Sequence, residues 1–100
     1  MLFAMIYKFG NDIDNARAAA RPAHIQYLKS AEDRLKVAGP LTADEDGNEA
    51  KGSIILLEAQ SRTAVKLFAD ADPYVKAGIV DSIDISAVPV TLGSWAPKPE

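Results

Sequence analysis

Two strand-like segments that are apolar on both faces constrain the fold of this chain most strongly. In residues 2–9, LFAMIYKF, every position except Lys8 is apolar. Residues 52–58, GSIILLE, contain a run of four aliphatic residues, so both faces of a strand there are again apolar. Successive side chains of a strand point to opposite faces, and a strand that is apolar on both is typical of a covered sheet centre. The sequence therefore predicts two central strands in a sheet that is covered on both sides.

The segment between these two strands is predicted to contain the main helix. A short helical turn reaches Ala20, and a longer helix covers residues 22–37. Pro22 suits a first helical turn, and the AGP sequence after residue 37 suits a helix end. Proline also disfavours helical geometry in the residue before it, so a break or kink is predicted near Arg21. A second strand is then expected to begin over residues 41–43.

The second half of the chain continues with strand, helix and strand. A loop, DEDGNE, leads into the strand at residues 52–58, and Ser61 is a suitable N-cap for a helix over residues 62–69. In the final strand, residues 80–88, apolar and polar positions alternate, which indicates an edge strand with one solvated face. The order β-α-β-β-α-β predicts an α+β protein with the ferredoxin-like fold and a four-stranded antiparallel sheet.

Two helices can cover only one face of a four-stranded sheet, which leaves the second apolar face of the central strands without a cover. An exposed apolar face of that size is unusual in soluble monomers. A second copy of the chain is the simplest cover. We therefore expect a homodimer that packs sheet to sheet, the arrangement known as the dimeric α+β barrel.

Length and composition exclude several classes of protein. With 100 residues, a single domain over 1–100 is expected, ending in an irregular tail over 91–100 that Trp95 could anchor. The net charge of −3 is scattered without a basic stripe, so nucleic acid is not an expected partner. The apolar start MLFAMIY is too short for a membrane span and lacks the basic region of a signal peptide. We expect a cytoplasmic protein with no membrane partner.

The residue types also argue against a metal site. The chain has one histidine and no cysteine, so neither a disulfide nor a transition-metal site is expected. The acidic segment ADEDGNEA lacks the spacing of a calcium-binding loop and is interpreted as a solvated hairpin. We expect neither a metal nor a cofactor.

His24 is the candidate for acid–base chemistry. It lies near the N-terminus of the predicted helix, where the partial positive charge favours a neutral imidazole that can act as a base. At helical spacing it is aligned with four apolar residues, Leu28, Ala31, Leu35 and Ala38. The alternative interpretation is a core histidine that is hydrogen-bonded to a backbone carbonyl.

A carboxylate partner would fix the tautomer of His24 and stabilise its cation. The candidates for that partner are Asp70, Asp72, Asp81 and Asp84. Asp72 is followed by Pro73, and an Asp before a proline commonly only starts a turn. The residue pattern alone does not choose among the four.

Four motifs resemble the YciI-like (YCII-related domain) proteins in order and spacing. They are RPAHIQYL, AGPL, GSIILLEAQS and ADADPYVKAGIV, and the resemblance extends from the start of the chain to about Val90. It implies a ferredoxin-like fold in a dimeric α+β barrel, with a His-Asp pair that corresponds to His24 and Asp72. Only the resemblance selects Asp72. A few relatives are associated with dehydrochlorination in aromatic-compound breakdown, and the wider superfamily includes muconolactone isomerase-like enzymes.

Four further residues are expected to bind substrate in the same pocket. By analogy with the family motif, Ser53 faces the pocket as a hydrogen-bond donor, or else it bonds only to backbone. Arg21 could bind a substrate carboxylate in bidentate fashion, or form a surface ion pair. Gly39 is expected near the pocket, and Tyr74 in its wall.

These observations support three hypotheses of different classes. The favoured one is a cofactor-free enzyme that uses a His-Asp dyad for isomerisation, elimination such as dehydrochlorination, or hydrolysis of a small organic substrate. The alternative is a non-catalytic dimeric domain that binds a small molecule in the same cavity. The third is a structural assembly module, which predicts no polar pocket near His24.

Overall fold

The chain folds as one antiparallel sheet with helices on one side. The computed structural model describes residues 1–97. Its strands and helices, in chain order, are β1 (Leu2–Phe9), α1 (Asp14–Lys29), β2 (Leu35–Thr42), β3 (Ala50–Glu58), α2 (Arg62–Asp70), α3 (Pro73–Lys76) and β4 (Val80–Val88). The strands are ordered β2-β3-β1-β4, and every neighbouring pair is antiparallel. The predicted ferredoxin-like α+β fold is confirmed.

The two segments that are apolar on both faces are the two central strands, as predicted. β1 pairs with β3 in the register that sets Met5 opposite Ile55, and both residues are fully buried on the helix-covered face. The core on that side consists of Phe3, Met5, Tyr7, Phe9, Leu28, Ala31, Ile55, Leu57, Val65, Ala69, Tyr74, Ile79 and Ile85. β4 is an edge strand, as its alternation predicted.

The other side of the sheet carries no helix within residues 1–97, and we call it the open face. Its centre is formed by two cross-strand pairs, Ile6 with Ile54 and Ala4 with Leu56. All four side chains are half-buried. The open face is therefore apolar at its centre, because β1 and β3 present aliphatic residues on both of their faces.

The main helix differs from the prediction at both ends. α1 runs without a break from Asp14 through Pro22 and ends at Lys29. No break occurs at Arg21, and the predicted extension to residue 37 is wrong. An internal proline costs a helix one hydrogen bond and about 3 kcal/mol, so the rest of α1, which buries His24 and Leu28, must compensate.

Strand pairing explains why the helix ends early. Leu35 and Ala38, which continue the helical spacing from His24, instead belong to the strand Leu35–Thr42, which pairs with β3 and sets Ala38 opposite Ile55. Glu32 takes a left-handed conformation with φ of 53° between the helix and this strand. β2 therefore starts six residues before the predicted strand at Leu41, and Gly39 lies within β2 rather than at a helix end.

The connection after β3 was predicted in part. Ser61 is the N-cap of α2, as expected, and its side chain accepts a hydrogen bond from the Ala64 amide at 3.1 Å. The one-turn helix α3, which begins at Pro73, was not predicted.

The tail from 91 to 97 contains neither helix nor strand, as expected, and residues 98–100 of the predicted irregular tail lie outside the described part. Trp95 remains 52% exposed, so it does not anchor the tail by burial, and that expectation is wrong. Within residues 1–97, no helix is long and apolar enough to cross a bilayer.

Candidate functional site

A fully buried carboxylate, Asp72, lies at the centre of the site. Pro73 favours extended geometry in the residue before it, and Asp72 adopts that geometry as the N-cap of α3. Its Oδ1 accepts a hydrogen bond from the backbone amide of Tyr74 at 2.9 Å. The aspartate-proline sequence therefore fixes the carboxylate at the start of a helix and turns it into the protein interior, where its exposed fraction is 0%.

His24 is the second partner of this carboxylate. Its Nδ1 lies 2.7 Å from Oδ1 of Asp72. The Tyr74 amide donates to the same oxygen, and an ionised carboxylate can only accept, so Nδ1 carries the proton of this hydrogen bond. In the neutral ring, Nε2 is then unprotonated and available as a base. The flat face of the imidazole stacks on the Tyr74 ring, with a centroid distance of 3.7 Å and an interplanar angle of 3°.

The position of His24 differs from the expectation in one respect. The residue lies ten positions after Asp14, the first residue of α1, and not near the helix N-terminus. The influence of the helix dipole falls off within the first turn, so it does not act on His24. The orientation and tautomer of the imidazole therefore depend on Asp72 and Tyr74.

Tyr7 is the third partner of Asp72 and was missed in the sequence. Its hydroxyl donates to Oδ2 of Asp72 at 2.9 Å from the middle of β1, where the side chain is 1% exposed. Burial raises the pKa of Tyr7 far above its usual value, and the nearby Asp72 charge and the hydrogen bond to it raise the pKa further. Periodicity predicts only that Tyr7 is buried, since its hydroxyl meets Asp72 through tertiary packing.

A cavity of about 310 Å³ lies beside His24, between α1 and the strands β2 and β3. The four residues predicted to bind substrate, Arg21, Gly39, Ser53 and Tyr74, all line it, and so does His24. Asp72 does not line the cavity, because it lies behind the imidazole. None of the hydrogen bonds within residues 1–97 uses Nε2 of His24, so this nitrogen is left for a ligand.

The rest of the cavity wall was not predicted. Its remaining residues are the apolar Ile25, Leu28, Leu35, Ala38, Pro40 and Ile55 and the cations Arg17 and Lys29. The residues of β2 in the cavity wall were missed because part of this strand was predicted to be helix. A purely structural module predicted no polar pocket near His24, and the cavity contradicts that hypothesis. Among residues 1–97, no group of three or more histidine, cysteine, aspartate or glutamate side chains could hold a metal ion.

Comparison with known proteins identifies the family of this chain. The family model of the YCII-related domain matches residues 1–89. The chain belongs to the YCII-related domain family. Protein YciI of Escherichia coli is 33% identical over 91 residues, which cover 85% of this chain and 93% of that protein. An uncharacterised protein of Haemophilus influenzae is 39% identical over 80 residues, which cover 71% of this chain and 82% of that protein. The predicted resemblance to YciI-like proteins is confirmed.

One of the solved structures with a fold similar to that of this chain is the structure of an enzyme. It is 5-chloro-2-hydroxyhydroquinone dehydrochlorinase (TftG) of Burkholderia phenoliruptrix, in complex with 2,5-dihydroxybenzoquinone. The two chains are 27% identical with a TM-score of 0.80, and the match covers 88% of this chain and 93% of that one. Atu4242 of Agrobacterium tumefaciens, at 11% identity and a TM-score of 0.53 over 94% of this chain and 98% of that one, shares the fold alone.

The burial of Tyr7, together with its hydrogen bond to the charged Asp72, predicts a loss of stability in alkali. The pKa of Tyr7 is raised in the folded protein, whereas an unfolded tyrosine ionises near 10.0. The stabilisation of the folded state that comes from protonated Tyr7 is therefore complete below that pH and is lost as the pH rises above it. One pH unit above that value, the free energy of unfolding is lower by about 1.4 kcal/mol. We expect the free energy of unfolding, measured with urea, to fall more steeply above pH 10 in the wild type than in Tyr7→Phe.

Tyr27→Phe is the matched control for this measurement. The Tyr27 side chain is only half-buried, and burial raises its pKa, with the Asp72 charge as the second cause. We expect Tyr27→Phe to flatten the alkaline limb less than Tyr7→Phe does. Parallel curves for the wild type and Tyr7→Phe would contradict the hydrogen bond between Tyr7 and Asp72.

Proposed function

We propose that the cavity is the active site of a small-molecule enzyme in which His24 is the general acid–base. The observation that carries this proposal is the 2.7 Å contact between Nδ1 of His24 and Asp72, which leaves Nε2 for the cavity. In this role Nε2 takes a proton from the substrate. Asp72 keeps the ring in the required tautomer and stabilises the imidazolium that forms.

The surroundings of the pair support a catalytic role for His24. The side chain of Asp72 is fully buried and that of His24 is 9% exposed, so the developing imidazolium lies next to a carboxylate that water does not screen. The cavity, about 310 Å³ in volume, is at the lower end of the usual range for small-molecule sites. Ser53 and Tyr74 line it, and in our proposal they contact the bound substrate.

The reaction named for the relative TftG supports elimination as the first reaction class to test. Loss of HCl from a chlorinated hydroxyaromatic ring can start from its keto tautomer, in which a hydroxyl proton has moved to the ring carbon that bears chlorine. A second hydroxyl group then loses its proton to Nε2 of His24, a carbonyl and a ring double bond form, and the C–Cl bond breaks with its electron pair leaving as chloride. Isomerisation and hydrolysis need a proton acceptor of the same kind, so the dyad supports all three reactions, and substrate chemistry decides among them.

His24→Asn tests this proposal directly. The asparagine amide can still donate to Asp72 but cannot accept a proton, so the fold is kept while the base is lost. Chloride release from 5-chloro-2-hydroxyhydroquinone, the compound named for TftG, provides the first assay. We expect turnover to fall by about 10² to 10⁴-fold, the usual contribution of a positioned acid–base group.

Gln26→Asn is the control for placing asparagine in α1, because Gln26 is exposed and does not line the cavity. It should keep full turnover. Equal turnover in His24→Asn and the wild type would contradict the mechanism. Saturable binding of 2,5-dihydroxybenzoquinone with no turnover of any chlorinated or lactone substrate would favour the non-catalytic binding domain instead.

We further propose that the chain acts as a homodimer packed through the open face. The two apolar pairs at the centre of that face, Ile6 with Ile54 and Ala4 with Leu56, support this assembly, because helices already cover the opposite face. A second copy presents the same apolar surface, so a two-fold axis would bring like residues together.

Ile54→Lys should convert the dimer to monomers by placing a charge at the centre of the open face. Sedimentation equilibrium should give twice the chain mass of 10.7 kDa for the wild type and the single chain mass for the variant. Leu67→Lys is the matched control, since Leu67 is 66% exposed on α2, and it should remain dimeric. A wild type that sediments at the single chain mass would rule out the assembly.

A further inference from the structure

We propose that Arg17 and Arg21 form an anion-binding subsite, so that the cavity takes a small organic anion with an apolar ring or chain. This inference rests on the proposed function, because it concerns the substrate class of the same cavity. Arg17 was not among the residues predicted from the sequence. Its role follows from the spacing along α1, the surroundings of its guanidinium and the charge of the cavity wall.

The helix places both arginines on the side that carries His24. Arg17 and Arg21 are four residues apart, so their side chains are neighbours on the helix surface. Seven residues separate Arg17 from His24, which is close to two full turns and about 10 Å along the axis. Arg17, Arg21 and His24 all line the cavity. An anion held by the two guanidinium groups would therefore direct the rest of the molecule along α1 toward Nε2 of His24.

None of residues 1–97 accepts a hydrogen bond from the guanidinium of Arg17. Its Nε is enclosed, and it is the only buried side-chain nitrogen or oxygen in the described part of the chain that has no partner. The guanidinium carbon lies 5.5 Å from the centre of the Phe9 ring, a contact that holds the group without satisfying its donors. Within the same residues, neither Arg17 nor Arg21 has a carboxylate within 4.0 Å. A carboxylate ligand would supply acceptors in the paired geometry that guanidinium groups favour.

The charge and polarity of the remaining cavity wall indicate which kind of ligand fits beside the two arginines. Lys29 adds a third positive charge, and none of the acidic residues between 1 and 97 lines the cavity. The negative charge of Asp72 lies behind His24 and is already hydrogen-bonded. Opposite α1, the wall consists of apolar side chains such as Ala38, Pro40 and Ile55. The cavity therefore matches a molecule with an anionic group at one end and an apolar body, such as an aromatic carboxylate.

Benzoate and benzamide test the subsite, because they share a ring and differ in charge. Their binding to the intact protein can be followed by ¹⁵N–¹H NMR titration at neutral pH and constant ionic strength. We expect benzoate to bind at least tenfold more tightly than benzamide and to shift the amides of α1 and β2. Arg17→Gln and Arg21→Gln should each weaken benzoate binding by roughly tenfold or more and leave benzamide binding unchanged.

Arg34→Gln is the matched control. It removes one positive charge from an exposed arginine outside this cavity, and it should leave benzoate affinity unchanged. Arg17→Lys keeps the charge at position 17 without the planar, paired donors of the guanidinium, so it should bind benzoate with an intermediate affinity. Arg17→Lys therefore distinguishes loss of the contact with benzoate from loss of folding. Circular dichroism checks that each variant is folded.

The outcomes separate the subsite from the proposed function. Equal affinity for benzoate and benzamide, or an equal loss of benzoate affinity in Arg34→Gln and Arg17→Gln, would overturn the anion subsite even if His24→Asn abolishes turnover. Selective benzoate binding that depends on Arg17 and Arg21 would support the subsite even if His24→Asn keeps full turnover, in which case only the acid–base mechanism fails.

Discussion

The carboxylate of Asp72 is fully buried, and the rest of the site depends on how its charge is satisfied. A buried charge is costly unless hydrogen bonds replace the water that it has lost. Here the donors come from three elements, namely the Tyr7 hydroxyl of β1, the His24 imidazole of α1 and the Tyr74 amide of α3. The carboxylate therefore connects the sheet to α1 and α3 at one point. Because these contacts also hold the imidazole next to the cavity, the Asp72 carboxylate both stabilises the fold and orients the candidate base.

The fold was predictable where the pattern is local. Apolar residues on both faces of residues 2–9 and 52–58 gave the central strands, and the alternation in residues 80–88 gave an edge strand. The end of α1 was not predictable in this way, because Leu35 and Ala38 continue the apolar helical spacing that starts at His24. Their strand conformation comes from pairing with β3, a contact between segments that are distant in sequence. The error at Pro22 has the same cause, since the packing of α1 overrides a local preference.

The site was predictable only in part for the same reason. Helical spacing pointed to His24, but the choice of Asp72 over the other carboxylates came from resemblance to a family. Nothing in the pattern around Tyr7 distinguishes it from other core aromatic residues, and its hydrogen bond to Asp72 appears only when β1 packs under α1 and α3. Arg17 was missed because a cation on a helix surface usually faces solvent. Its role depends on the cavity that β2 completes.

The proposed site depends most on the tautomer of the His24 ring, which NMR can measure. The sequence contains one histidine, so the imidazole ¹⁵N signals of the untagged protein can be assigned without ambiguity. When the ring is neutral, we expect a protonated Nδ1 and an unprotonated Nε2, with the Nε2 signal in the range of a free lone pair. A neutral ring that carries its proton on Nε2 would rule out the proposed pair, because Nδ1 could not then donate to Asp72 and Nε2 could not accept a proton from a substrate.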